Sequence, residues 1–149
     1  MLLSFLRKWS TITREEVRNQ GGGVENKKIL LVDDEEEVVR VITQMLQRAD
    51  YEVVSTTEGK EAFTLAKKHQ PDLIILDVIM PGMRGEDIKR LLSEDEQTNM
   101  IPTLFLTGIL TKEDEEFLKN LTGEVRSLAK PVTSQELLMT VGKILEGRA

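Results

Sequence analysis

The chain has 149 residues, 40% of them hydrophobic and 31% charged, with a formal net charge of -6. This length suits one domain with its own core, and the acidic balance argues against a general nucleic-acid binder, which would present a basic face. The lack of cysteine excludes disulfides, thiolate metal sites and cysteine nucleophiles. The sequence shows no signal peptide and no apolar run near the ~20 residues of a membrane span, so we expect a cytoplasmic protein.

Residues 1–26 differ from the rest of the chain and predict an amphipathic, flexible extension. Apolar residues cluster at its start, and the glycine run at 21–23 is typical of a flexible linker. Two interpretations stay open for residues 1–18. One is a disordered tail or a misassigned translation start, and the other is a helix that contacts a membrane surface or a partner's groove.

The regular part of the chain begins with two strand–helix units. A continuous apolar run over residues 28–32 is typical of a strand buried on both faces. Asp34 then opens a helix whose apolar residues recur at helical spacing as far as Ala49. Residues 51–55 are strand-like, and residues 58–69 are helical until a proline stops them.

Two further strands follow, with a helix between them. Residues 73–76 predict the next buried strand. After the Pro81-Gly82 turn, Ile88, Leu91 and Leu92 mark a helix. Residues 101–106 are again strand-like.

The last third of the chain predicts a short helix, a fifth strand and a final helix. Thr111 and Asp114 are suited to cap the short helix, residues 125–129 form the strand, and Thr133 with Glu136 makes a capping box for the final helix. Five strands that alternate with five helices indicate right-handed crossovers. We therefore predict an α/β fold in three layers, with a five-stranded parallel sheet and helices on both of its faces.

Polar side chains stand at the ends of four predicted strands. Asp33 and Asp34 follow the first strand, Asp77 follows the third, Thr107 ends the fourth and Lys130 follows the fifth. Ligands collect at that edge of an open parallel sheet. Crowded carboxylates repel each other, which raises their proton affinity or recruits a cation, and hard oxygen ligands suit Mg²⁺. A carboxylate nucleophile beside a metal, a lysine and a hydroxyl indicates phosphoryl transfer.

In their order and spacing, these residues resemble the receiver domain of two-component response regulators, of the stand-alone type. The matching residues lie within 27–147 and are Asp33-Asp34, Asp77, Met80-Pro81-Gly82 with Gly85, Thr107 and Lys130-Pro131. The resemblance implies a flavodoxin-like (βα)5 fold. It also implies a signalling protein rather than an enzyme, one that catalyses only its own phosphoryl transfer and autodephosphorylation.

The resemblance further implies which residues take part in the reaction. Asp77 would accept a phosphoryl group from a histidine kinase or a phosphotransfer protein. Asp34 and Asp77, with the backbone carbonyl of Ile79, would hold Mg²⁺, and Asp33 would reach the metal through water.

The lysine and the threonine would respond to phosphorylation. Lys130 would pair with Asp77 at rest and with the phosphoryl oxygens afterwards, while Thr107 would swing inward to the phosphoryl group. The Lys130–Pro131 peptide bond is expected to be cis. An unknown downstream protein, and no nucleic acid, would recognise the phosphorylated state, and a homodimer stays open.

Three positions depart from the family's pattern. Ser127 stands three residues before the lysine, where the family often has an aromatic ring, so we keep a pseudo-receiver that binds proteins without switching as the alternative. Ile79 replaces a commonly polar residue two positions after the phosphoacceptor, and Gly108 replaces a frequent alanine. A phosphatase of the haloacid-dehalogenase class would need an aspartate at position 79, which disfavours it.

The acids also have simpler interpretations. Asp33-Asp34 fits a helix N-cap pair favoured by the macrodipole, and Asp77 fits an aspartate that initiates a turn. The run Glu35-Glu36-Glu37 is interpreted as a solvated first helical turn.

Overall fold

The computed structural model describes residues 26–108, 112–113, 116 and 126–147. The strands in this part of the chain are β1 (Lys28–Val32), β2 (Glu52–Thr56), β3 (Leu73–Asp77), β4 (Thr103–Thr107) and β5 (Ser127–Ala129). The α-helices are α1 (Glu36–Arg48), α2 (Ala62–His69), α3 (Gly85–Glu94) and α4 (Ser134–Glu146), and a short 3₁₀ helix, Gly59–Glu61, precedes α2.

The strands form one parallel sheet in the order β2-β1-β3-β4-β5. Strand β1 is an interior strand that pairs with both β2 and β3, and its last residue, Val32, lies opposite Leu76 of β3. Chain connections leave β1 and β3 in opposite directions along the sheet, which creates a crevice at their carboxyl ends. The predicted five-stranded parallel sheet is confirmed.

Side chains alternate between the two faces of the sheet, and each face is covered by helices. On one face, Leu30, Val32, Ile74 and Leu76 form a buried cluster with residues of α2 and α3. On the other face, the intervening strand residues form a second cluster with α1 and α4: Ile29, Leu31, Leu73, Ile75, Leu104 and Leu106. This alternation is the two-residue period of a strand buried on both sides, and it confirms the predicted three layers.

Several element boundaries differ from the sequence prediction. Asp34 does not open the first helix, because Glu35 is its N-cap residue and the helix begins at Glu36. Strand β4 begins at Thr103 rather than Ile101, because the intervening Pro102 has no amide hydrogen to donate to the ladder. At the final helix, the Thr133 hydroxyl accepts a hydrogen bond from the backbone N–H of Glu136 at 3.1 Å, which is one of the two hydrogen bonds of the predicted capping box.

Some predictions fall on residues that the structure does not describe. These are the extension up to residue 25, the short helix with Thr111 and Asp114, and the start of the fifth strand at Val125. Over the described residues, the helices are all too short or too polar to cross a membrane.

Candidate functional site

The carboxyl ends of β1 and β3 bring two buried aspartates together. The pairing of Val32 with Leu76 places the next residues, Asp33 and Asp77, side by side at the crevice. Asp33 is completely buried and Asp77 is only 3% exposed. Burial of two neighbouring carboxylates is unfavourable unless a cation or hydrogen bonds compensate for it.

Lys130, which directly follows the edge strand β5, supplies that compensation. Its backbone N–H donates to the Thr107 carbonyl at 2.7 Å, which extends the pairing of β4 with β5 beyond the last strand residue. Its Nζ lies 2.7 Å from Asp33 Oδ2 and 3.2 Å from Asp77 Oδ2. The ammonium group therefore bridges the two aspartates. The Lys130–Pro131 peptide bond is cis, as expected from the resemblance.

The charge balance around Asp77 raises the affinity of its carboxylate for a proton. Burial and the neighbouring Asp33 carboxylate raise the pKa of Asp77 from 3.8 to about 6, although Lys130 and the backbone N–H of Ile79 act in the opposite direction. Since one ammonium group is shared between two carboxylates, it does not fully offset burial and like-charge repulsion. Asp77 is thus a carboxylate that an additional cation would stabilise.

Lys130 shows the complementary effect. Burial by itself would lower the pKa of this lysine, but the hydrogen bond and charge of Asp33, followed by those of Asp77, outweigh burial and raise it. The side chain is 16% exposed and stays charged at neutral pH. It therefore acts as a fixed positive charge that faces both carboxylates.

The loop after β3 holds the Asp77 side chain in place. The backbone N–H of Ile79 donates to Asp77 Oδ1 at 3.2 Å, while the Ile79 side chain is 48% exposed at the rim of the site. Gly82 has a φ of +79°, in the left-handed region where glycine is favoured. At Gly85, a Cβ atom would lie 2.7 Å from the Asp77 carbonyl oxygen, so only glycine lets α3 begin so close to the end of β3.

Thr107 lies at the end of β4 and is 5% exposed. Its hydroxyl donates to the Leu128 carbonyl at 3.2 Å. This hydrogen bond to β5 must therefore break before the hydroxyl can donate to a group bound at Asp77. Gly108 follows directly, and a Cβ atom there would meet none of the described residues within 4 Å.

Glu35 belongs to the site, which the sequence interpretation missed. Its Oε1 lies 3.6 Å from Lys130 Nζ, and its side chain is 62% exposed. Carboxylate oxygens of Asp33, Asp34 and Glu35 lie within 4.8 Å of one another. Glu35 was interpreted as part of a solvated helical turn, but it precedes the helix with an extended backbone (φ -91°, ψ 111°), which directs its side chain toward the site.

These acids have the oxygen donors that a divalent cation requires. Asp33 Oδ1 accepts from the Glu35 backbone N–H at 2.9 Å and Oδ2 faces Lys130, yet a carboxylate has about four lone-pair positions and retains capacity for a further partner. Asp34 and Glu35 are both exposed. A partly open set of hard oxygen ligands suits Mg²⁺, which keeps several of its waters.

Comparison with known proteins identifies the family. A family model described as the response regulator receiver domain matches residues 29–142. The chain belongs to this family. The matched range therefore includes all five strands from Ile29 onward and each of the residues at the carboxyl edge described above.

Known receivers resemble this one along most of their length. PilH of Pseudomonas aeruginosa is 32% identical over 106 residues, which are 71% of this chain and 87% of PilH. The polar-differentiation response regulator DivK of Brucella ovis is 29% identical over 107 residues, 72% of this chain and 86% of DivK. The chemotaxis protein CheY4 of Vibrio cholerae superposes with a TM-score of 0.74 at 32% identity, covering 80% of this chain and 99% of CheY4.

A response regulator from Desulfuromonas acetoxidans gives a similar result, with a TM-score of 0.73, 28% identity, and coverage of 83% of this chain and 99% of that protein. These superpositions confirm the flavodoxin-like fold that the resemblance implied.

The receiver brings together most of the residues predicted for the site. Asp33 and Asp77 both contact Lys130, and Asp34 lies with Asp33 and Glu35. The Thr107 carbonyl accepts a hydrogen bond from the backbone N–H of Lys130, but the Thr107 hydroxyl donates to β5 and not to the site. For Ile79, the contact with Asp77 is made by its backbone N–H.

Proposed function

We propose that this receiver is the phosphoacceptor of a two-component phosphorelay and that Asp77 takes the phosphoryl group in a Mg²⁺-dependent reaction. The observation that carries the proposal is the buried Asp77 carboxylate, with a pKa of about 6, whose Oδ2 lies 3.2 Å from the ammonium group of Lys130. An ionised aspartate needs no general base to act as a nucleophile. At neutral pH most of the Asp77 carboxylate is ionised and available.

The reaction would form one bond and break one. An Asp77 carboxylate oxygen would attack the phosphorus atom of a phosphohistidine, and the phosphorus–nitrogen bond would break as the new phosphorus–oxygen bond forms. The donor's imidazole leaves with the electron pair and takes up a proton. Lys130 is placed to offset negative charge on the transferred group, and Thr107 would exchange the Leu128 carbonyl for a phosphoryl oxygen.

Asp33, Asp34 and Asp77, together with the Ile79 backbone carbonyl, are the proposed Mg²⁺ ligands, and Glu35 lies beside Asp33 and Asp34. The ion would supply positive charge that draws the phosphoryl oxygens toward Asp77 and offsets their charge during transfer. The raised pKa of Asp77 supports this assignment, because a carboxylate that repels its neighbour gains most from a nearby cation.

The proposal includes partners and location. A histidine kinase or a phosphotransfer protein would be the donor, and a downstream protein would recognise the changed surface. We place the protein in the cytoplasm and expect no catalysis beyond its own phosphorylation and autodephosphorylation. The net charge of -6 disfavours direct binding to nucleic acid.

Acetyl phosphate, a small acyl phosphate donor, allows a direct test without a kinase. Wild type incubated with acetyl phosphate and Mg²⁺ is expected to gain the mass of one phosphoryl group, and chelation of Mg²⁺ should abolish the gain. Asp77→Asn should not gain it. Asp72→Asn, which changes an aspartate at the opposite end of β3, is the matched control and should react like wild type. Equal modification of wild type and Asp77→Asn would contradict the proposal.

A pseudo-receiver is the second candidate, and Ser127 favours it. This residue is exposed at the start of β5, so no aromatic ring at this position can couple the phosphoryl site to the surface. Beryllofluoride, a mimic of the phosphoryl group, can separate the two functions in amide NMR spectra. Shifts that extend to β5 and α4 would support switching, whereas shifts confined to the carboxyl edge would support the pseudo-receiver.

A further inference from the structure

Lys130 has a third anionic neighbour besides the two buried aspartates. Its Nζ lies 2.7 Å from Asp33, 3.2 Å from Asp77 and 3.6 Å from Glu35. The first two carboxylates are buried, whereas the Glu35 side chain is 62% exposed. Glu35 is therefore the most distant and most exposed of the three partners, and it approaches the ammonium group from the solvent side.

The backbone explains why Glu35 approaches Lys130 and does not follow its own helix. Its N–H donates to Asp33 Oδ1 at 2.9 Å, which ties residue 35 to the buried aspartate. It is the N-cap residue of α1, but its side chain makes no capping hydrogen bond. The carboxylate can thus bind either the ammonium group or another cation, and the positive end of the helix dipole favours a negative charge there.

The second possible partner is a divalent cation. Glu35, Asp33 and Asp34 each offer a carboxylate oxygen within 4.8 Å of the others. To act as a full ligand of such a cation, the carboxylate of Glu35 would have to leave the ammonium group of Lys130. Its two partners are therefore in competition.

Resting on the function proposed above, we propose that Glu35 is a positioning residue that couples cation binding to the release of Lys130. Without a cation, Glu35 holds the solvent side of the ammonium group. When a divalent cation is bound by Asp33 and Asp34, Glu35 turns toward the cation, directly or through a water, and Lys130 becomes available to the phosphoryl oxygens at Asp77. Glu35 acts through these two groups and does not contact the phosphoryl group.

The test compares Glu35→Gln with Glu36→Gln in the full chain. Both variants remove one exposed carboxylate, but Glu36 lies in the first turn of α1 with no described ion pair. Isothermal calorimetry with Mg²⁺ alone gives the dissociation constant of the unphosphorylated protein. We expect Glu35→Gln to raise it about three- to tenfold, because one anionic oxygen near the cation is lost, and Glu36→Gln to change it less than twofold.

Phosphorylation by acetyl phosphate over a range of Mg²⁺ concentrations gives the second readout. For Glu35→Gln, the Mg²⁺ concentration at half-maximal rate should rise by the same three- to tenfold. The rate at saturating Mg²⁺ should equal or exceed that of wild type, because the Glu35 carboxylate no longer holds the solvent side of Lys130. A merely structural role would lower the plateau rate and the stability to urea, and would leave the Mg²⁺ dependence unchanged.

Three results would overturn the inference: an unchanged dissociation constant for Glu35→Gln, an equal change in Glu36→Gln, or a reduced plateau rate. Failure of the proposed function would look different, because wild type itself would then show no Mg²⁺-dependent phosphorylation. In that case calorimetry still decides whether Glu35 contributes to cation binding.

Discussion

Replacement of Asp77 by asparagine is expected to stabilise the folded receiver at neutral pH and to have a smaller effect at acidic pH. Folding raises the pKa of this carboxyl group from 3.8 to about 6, chiefly through burial and the charge of Asp33. Between these two pH values the folded protein binds the proton more tightly than the unfolded chain does. The free energy of unfolding therefore falls as the pH rises through this window.

The size of the effect follows from the shift. One pKa unit corresponds to 1.36 kcal/mol, so a shift of about two units would destabilise the ionised, folded protein by about 3 kcal/mol. Asp77 is buried but ends its strand at the carboxyl edge of the sheet, close to water at the exposed rim of the site, so we expect the smaller value of about 1–2 kcal/mol. Asparagine has a similar shape and does not ionise, and Lys130 keeps Asp33 as a partner at 2.7 Å.

Urea unfolding followed by far-ultraviolet circular dichroism, with EDTA present to remove cations, measures this difference. Asp77→Asn should exceed wild type by about 1–2 kcal/mol near pH 7.5, and most of that advantage should be lost near pH 4.5. Glu96→Gln removes an exposed carboxylate between α3 and β4 and controls for the change in net charge. A variant no more stable than wild type near pH 7.5, or an advantage that does not depend on pH, would refute the reasoning.

Two further substitutions test the surroundings of Asp77. Gly85→Ala places a Cβ atom 2.7 Å from the Asp77 carbonyl oxygen, so the urea midpoint should fall by the equivalent of about 1–3 kcal/mol; a stability equal to wild type would mean that α3 can move away freely. Lys130→Met removes the ammonium group between two buried carboxylates, and we expect a loss of about 2–4 kcal/mol that is larger near pH 7.5 than near pH 4.5, since protonation of Asp77, whose pKa is raised to about 6, relieves part of it. Equal losses at both pH values would show that packing, not charge, is responsible.

The sequence was sufficient to predict the sheet and the edge where the chemistry lies. Strands β1 and β3 are continuous apolar runs, and such runs are diagnostic of strands covered on both faces. Because parallel strands end at one edge, Asp33 and Asp77 had to be near each other once the strands were located. This part of the prediction depends only on strand order and not on side-chain detail.

The details that the sequence did not predict depend on single-residue boundaries and on tertiary contacts. Whether Glu35 is solvated or joins the site depends on α1 beginning at residue 36 and on the position of Lys130, which is distant in the sequence. The hydrogen bond from Thr107 to Leu128 likewise depends on the register of β4 with β5. The third consecutive acid after β1 was the available signal for Glu35, but runs of acids are common in first helical turns.

The fold itself sustains the unfavourable charge arrangement at Asp77. The strands that carry Asp33 and Asp77 bury eight aliphatic side chains, each of which contributes about 1.5–3 kcal/mol: Ile29, Leu30, Leu31, Val32, Leu73, Ile74, Ile75 and Leu76. Separating the strands would forfeit much of that energy, whereas ionised Asp77 costs only about 1–2 kcal/mol after screening. The carboxylates therefore cannot relieve their repulsion by moving apart. Relief must come from a proton, from Lys130 or from an added cation, and this is the physical reason for proposing that a divalent cation binds beside ionised Asp77 at neutral pH.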